Sequence, residues 1–366
     1  MRVRTLTAAT VLAIGLAATG GGPTAAAPPP GVRYMLIGGT GSANIAVLRE
    51  TNGHLSNTGP TVPTGVGTLS IAVAAAEHFA YVAHTVSGTL QGFRVTDSGG
   101  LIPLPDAYLA PGEPVVGAIA SPDGRWLFVT VGGLTSSVET YAIGPTGGLS
   151  RVAAVPIPGA TSGLSIPVVS PDGRYLFAPS FIGGTMDSFA IGADGHLTPA
   201  GPQVRTGDRP ALPIVTPDGR YVYITNEGTN DISGFRIEPG GALTAIGRFP
   251  TKAVPHGMAI TPDGRHMYLP QTGGPGVNGF DIHDDGSLTP LPGAEIISAP
   301  GHFPGRVVLS PDGARLYVID TLTLEGTARV FTYLVQPDGA LAPSGDPAVD
   351  TGVFFSDGAT GVFTPE

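Results

Sequence analysis

The chain has 366 residues, 18 Lys and Arg against 28 Asp and Glu, a formal charge of −10, a hydrophobic fraction of 42% and no cysteine. The acidic balance argues against nucleic acid or anionic lipid as the main partner, and the missing thiols exclude both a disulfide framework and a thioether lipid anchor. The 56 Gly and 37 Pro would suggest disorder, but they sit at regular turn positions between apolar runs, so the chain can bury a large core.

At the N-terminus Arg2 and Arg4 precede an apolar run from Leu6 to Ala18 and a small-residue stretch ending at Ala25-Ala26-Ala27. This order predicts a secretory signal over residues 1–27, with a cut near Ala26 or Ala27 and a short Pro-rich linker over 28–31. The run is too short to span a bilayer comfortably, and no later segment does better, so no membrane span is expected. The mature chain would carry 16 basic and 28 acidic residues, a formal −12. Residues 32–366 are expected to form one domain.

A repeat then runs along the chain. Ser/Thr-Pro-Asp-Gly occurs with its aspartate at Asp123, Asp172, Asp218, Asp263 and Asp312, at intervals of 49, 46, 45 and 49. Two degenerate copies extend the series, one at Ala76 by alignment of the following strand and one at Asp357 in Phe355-Ser356-Asp357-Gly358. A second marker, a Gly-rich turn ending in leucine, gives the same count of seven at Leu55, Leu101, Leu149, Leu197, Leu243, Leu288 and Leu341. The clearest copy, Thr216 to Thr244, reads strand, Pro-Asp-Gly turn, strand, strand, Gly-rich turn, strand.

Four antiparallel strands in each 45–50 residues predict an all-β, seven-bladed β-propeller of four-stranded blades. Tyr34 to Ile37 resembles a second strand that lacks its first, and Val353 to Ser356 offers a first strand at the far end. One blade would thus be closed by pairing N- and C-terminal strands, removing the free edges that an open solenoid would leave.

Strand direction assigns the faces. If first strands end at Pro-Asp-Gly, both kinds of turn lie on one face, and the opposite face carries the second-strand exits and the approaches to the first strands. On the turn face, Asp between Pro and Gly is what a tight reversal needs, so the repeated aspartates are read as structural. His54, His196 and His283 are read as solvated turn residues, and His266, in the column of Trp126, Tyr175 and Tyr221, as inter-blade packing. On the opposite face the exit column reads Gly39, His84, Val131, Ser180, Asn226, Gln271 and Asp320, with Glu227 following Asn226. The approaches to first strands bring Arg209, His256 and Arg306, with His302 slightly upstream. No metal-ligand motif, nucleophile elbow or phosphate loop occurs, and no cofactor is expected.

The repeated (S/T)PDGRYhYhxNEGxNxhSxFxIxxxGxLT, seen best in Thr216 to Thr244, resembles the seven-bladed lactonase-type propellers, which include 6-phosphogluconolactonases and carboxymuconate-cyclising enzymes. The strand Tyr223-Ile224-Thr225-Asn226 also resembles exported propellers of the YVTN type. The resemblance covers roughly Val32 to the C-terminus and implies His, Arg and Glu at the channel mouth. Glu227 matches an Asn-Glu pair at a second-strand exit and His256 a Pro-His at a first-strand approach. The Pro-Arg-His triplet of such approaches is absent: Arg209 precedes its proline and Arg306 lies one place late. The resemblance implies metal-independent opening of a small (sugar) lactone, with Glu227 or His256 as base and Arg306 or Arg209 at the oxyanion, and His84, Arg209, Asn226, Gln271, His302 and Asp320 as substrate-binding candidates. A non-catalytic, monomeric binding propeller for an extracellular glycan, peptide or cell-wall component is the alternative. A metal-dependent gluconolactonase propeller is disfavoured because that group resembles six blades.

Overall fold

The computed structural model describes residues 32–74, 78–133, 135–161, 165–274, 276–324, 326–357 and 362–363. The expected signal and linker at 1–31, and the degenerate turn at Ala76, lie outside these residues. Every regular element among the described residues is a strand. They form seven antiparallel sheets, each built outward from a strand on the central channel. The seven innermost strands are Val362–Phe363, Thr68–Ala74, Val115–Ala120, Val168–Val169, Pro210–Val215, Ala259–Ile260 and His302–Leu309, and they define blades one to seven.

Blade one is the closure. Its second strand, Val32–Gly39, pairs on one side with Asn44–Thr51 and on the other with Val362–Phe363, in the register Met35 to Phe363 and Leu36 to Val362. Closure by both ends of the chain is therefore as expected, but the segment that closes it is not Val353 to Ser356. That stretch is irregular: the Phe355 carbonyl accepts the Thr40 amide and the Ser356 amide donates to the Thr321 carbonyl, so it crosses from blade seven to blade one over the face opposite the turns. Val353 is buried with Met35, Ile37, Tyr317, Ile319, Ala328 and Val330, a core shared by blades one and seven that seals the ring.

Adjacent blades are joined by the predicted aromatic column. Phe79, Trp126, Tyr175, Tyr221 and His266 lie against Gly147, Gly195, Gly241, Gly286 and Gly339 in the Gly-rich turn of the next blade, where an added Cβ would come within 3.0 Å of the ring. All five glycines have positive φ, so the turn demands glycine for its backbone and for the ring seated on it. One column inward, Tyr81, Tyr223 and Tyr268 each donate a hydroxyl hydrogen bond to a carbonyl of that same turn, at 2.9, 2.8 and 2.6 Å.

The five Ser/Thr-Pro-Asp-Gly turns repeat one arrangement. The hydroxyl of Ser121, Ser170, Thr216, Thr261 or Ser310 donates to the following aspartate at 2.5–2.6 Å, and the same carboxylate oxygen accepts an amide two residues on at 3.0–3.1 Å. These carboxylates close their own turns, which is the structural role expected of them.

Candidate functional site

The face opposite the turns carries the approaches to the innermost strands. There Glu227, His256 and Asp357 line one side of a cavity of about 70 Å³, and Leu69, Ile166, Phe181, Ala211 and Leu212 line the rest. Two larger hollows, of about 340 and 350 Å³, lie on the turn face between Pro-Asp-Gly turns, where the carboxylates are already committed to their own backbone.

Glu227 follows Tyr221–Asn226, a fully buried strand, and its amide donates to the Arg209 carbonyl at 3.0 Å, fixing the exit of this strand to the approach of the innermost strand of the same blade, Pro210–Val215. His256 precedes the innermost strand of blade six, and its Nδ1 lies 2.6 Å from the Gly305 carbonyl. A carbonyl only accepts, so Nδ1 carries the proton and Nε2 is the atom presented to the cavity. Nε2 lies 3.3 Å from Oε1 of Glu227 and 3.5 Å from Oδ1 of Asp357. Burial pushes the Glu227 carboxyl above its usual range; His256 opposes the rise, Asp357 reinforces it, and Arg209 opposes it. The site thus holds an imidazole whose free nitrogen faces two carboxylates, one of them made more basic by its surroundings.

Arg306 stands beside this group. It bridges Gly257 in parallel fashion between neighbouring innermost strands, and a Cβ on Gly257 would sit 2.5 Å from its Nη1 and 2.9 Å from Cδ1 of Leu212. The missing side chain at Gly257 is therefore what lets the guanidinium lie in the channel next to His256. Among the described residues Arg306 has no hydrogen-bond or ion-pair partner, and its Nε is buried. Burial pushes the guanidinium down to about 10, so it remains cationic at neutral pH. Arg209 is exposed at the rim, with φ of 53°, close enough to act electrostatically on Glu227.

The remaining sequence candidates lie within their own blades. His84 is fully buried: its Nε2 accepts from the Thr64 hydroxyl at 2.6 Å and the Gly65 amide at 3.2 Å, which leaves Nδ1–H to Thr89. Burial lowers its pKa to about 4. Asn226 accepts from the Gly207 amide at 3.0 Å and donates to Asp231 and Ser233. Asp320 is paired with His302 at 2.8 Å, with both side chains enclosed, and Gln271 is buried nearby in blade six. None of these side chains lines the cavity. Sequence reasoning brought Glu227, His256 and Arg306 together, but it missed Asp357 by aligning it with the turn aspartates. The available signal was the absent proline before it, together with the need for a first strand after it, which puts its approach on the channel face.

Comparison with known proteins accords with this frame. The family model described as "Lactonase, 7-bladed beta-propeller" matches residues 205–291, the stretch that holds Arg209, Glu227 and His256. No curated protein matches the chain. Among solved structures, the periplasmic gluconolactonase of Pseudomonas aeruginosa is similar at 21% identity and a TM-score of 0.71, covering 91% of this chain and 98% of its own. A Bacteroides fragilis protein provisionally named a 6-phosphogluconolactonase is similar at 20% identity and a TM-score of 0.70, covering 88% and 96%. The hydrazine synthase of Kuenenia stuttgartiensis is also similar, at 17% identity and a TM-score of 0.59 over 85% of this chain and 97% of that one, so the architecture alone does not fix the chemistry. By its closed ring of seven blades the protein is a seven-bladed β-propeller, and over residues 205–291 its sequence is similar to the lactonase-type members of that fold.

Proposed function

We propose that the protein is an exported hydrolase that opens a small lactone at the channel mouth without a metal ion. The observation that carries this reading is the 3.3 Å approach of Glu227 to His256 Nε2, with Nδ1 of the same ring held on the Gly305 carbonyl. A surface built only for binding has no need of an imidazole locked in one tautomer between two carboxylates, beside an unpaired arginine.

The chemistry follows from the geometry. Glu227, its basicity raised by burial, takes a proton from water as the water oxygen bonds to the lactone carbonyl carbon. The carbonyl oxygen becomes negative, and Arg306 supplies the compensating charge, strengthened because water is largely excluded there. Glu227 passes that proton to the free Nε2 of His256 across the 3.3 Å gap, and when the bond from carbonyl carbon to ring oxygen breaks, the departing oxygen takes it from Nε2, so that one water has been consumed to give the hydroxy acid. Asp357, 3.5 Å from the same nitrogen, is the second carboxylate facing this relay.

The test offers purified protein lacking residues 1–27 a panel of lactones in a pH-stat, beside the double variant Glu227→Gln/His256→Ala. Turnover by the wild type that the double variant lacks supports the hydrolase, and equal rates for both remove it. Recovery of the protein from the medium with its N-terminus near residue 28 tests export.

A further inference from the structure

The lining of the cavity is divided by chemistry. Its charged arc is Glu227 of blade five, His256 of blade six and Asp357 at the closing blade, with Arg306 of blade seven beside Gly257 next to it. The apolar remainder comes from blades two, four and five, as Leu69, Ile166, Phe181, Ala211 and Leu212. The apolar arc continues outward: Val66 is 47% exposed, Val86 75% and Ile182 64%, each in a loop on the same face, and Phe354, next to the Asp357 segment, is 50% exposed. Among the described residues, no serine, threonine, asparagine or glutamine lines the cavity. At the second-strand exits Asn226 is engaged by Gly207, Asp231 and Ser233 and Ser180 by the Gly183 amide, while the buried Gln271 amide does not line the cavity.

A sugar lactone brings several hydroxyl groups, and each one moved from water onto leucine, isoleucine or phenylalanine without a partner is penalised. An alkyl or aryl group gains on the same surface. The carboxylates and His256 are consumed by the ring-opening step, so they are not free to satisfy a row of hydroxyls as well. Resting on the hydrolase reading above, we infer that the substrate is an apolar lactone, an alkyl- or aryl-substituted ring with few or no free hydroxyls, whose ester group faces Glu227, His256 and Arg306. Its substituent lies on Phe181, Ile166 and Leu69 and runs out toward Ile182 and Val66. The cavity of about 70 Å³ takes the ring and the first carbons, and the exposed apolar side chains cover what projects beyond.

The experiment measures kcat/KM for γ-butyrolactone, γ-hexalactone and γ-decalactone against glucono-δ-lactone, on wild type and Phe181→Ala. The expected result is a rise of about fourfold for each methylene that becomes buried, with glucono-δ-lactone below γ-hexalactone. Phe181→Ala compresses the ratio of γ-decalactone to γ-butyrolactone, whereas a general loss of folding would lower both together. Turnover that favours glucono-δ-lactone, or that is flat across the alkyl series, overturns the inference and leaves the hydrolase standing. If no lactone is opened faster than by Glu227→Gln/His256→Ala, the hydrolase reading fails, and titration calorimetry of wild type with γ-decalactone and glucono-δ-lactone decides the rest. Heat from the first alone keeps an apolar ligand site, and heat from the second alone, or from neither, removes it.

Discussion

The two faces of the propeller use the same residue types for opposite ends. On the turn face Asp312 stands in Ser310-Pro311-Asp312-Gly313; its carboxylate takes the Ser310 hydroxyl at 2.5 Å and the Ala314 amide at 3.1 Å, and these bonds lower its pKa. On the opposite face Asp357 follows Ser356 and precedes Gly358, yet its carboxylate looks across the channel to His256 at 3.5 Å. A similar stretch therefore closes a turn in one place and joins a site in the other. The difference is topological: after Asp312 the chain reverses into a second strand, whereas Asp357 stands before the first strand of the closing blade. Repetition marks architecture, and the residues that break the repeat are where the chemistry lies.

The largest expected contrast lies in catalysis. His256→Ala should lower kcat/KM by about 10²–10⁴, the usual range for a positioned general acid or base, while Asp218→Ala on the turn face leaves it unchanged. Steady-state kinetics on the two purified variants makes the comparison. Next comes Arg306→Ala, with an expected loss of about 10²–10³ in kcat if it meets the developing oxyanion; a loss confined to KM would instead make it a uniform binding group. Gly257→Ala should move in the same direction, because its methyl would occupy the place of Nη1.

Smaller effects concern stability. His84 is held neutral with a pKa of about 4 against an ordinary 6.5. The unfolded chain thus binds a proton that the folded protein refuses, and stability falls as pH drops through this window, by about 3 kcal/mol at 1.36 kcal/mol per pH unit. Denaturant titrations from pH 7 to 4 should show this component in wild type and lack it in His84→Asn. Asp172→Ala should cost about 1 kcal/mol, the net worth of a turn hydrogen bond, without touching kinetics. Glu227 shifts the other way in charge. Its folded pKa is raised by burial, so its contribution to stability is present below the ordinary carboxylate pKa and lost as pH rises through the folded value. Glu227→Gln should therefore raise the melting temperature at pH 8 and not at pH 4, a gain in stability at a position where activity is lost.

The blade count, the four-strand pattern, the structural role of the repeated aspartates and the seating of His266 in the inter-blade column were legible because each depends on local turn chemistry repeated at a fixed interval. Glu227, His256 and Arg306 were legible because strand direction alone assigns them a face. The rest was not, for a physical reason. Whether a side chain at a strand exit turns into the channel or back into its own blade depends on what the neighbouring loop offers. Asn226 finds the Gly207 amide and Asp231 within its blade, while the next residue, Glu227, finds His256 of the neighbouring blade. The apolar arc of Leu69, Ile166 and Phe181 carries no motif, and only the assembled ring brings it together.

The most direct measurement pairs Asp357→Asn with Asp312→Asn, two like-for-like changes in similar stretches on opposite faces, and compares kcat/KM for the lactone that wild type opens fastest. A fall of tenfold or so is expected for Asp357→Asn, because the carboxylate charge 3.5 Å from the proton-relaying nitrogen is removed, and an unchanged value for Asp312→Asn. Equal values for the two variants, or a larger loss at Asp312, would contradict the division of the molecule into an architectural face and a chemical one.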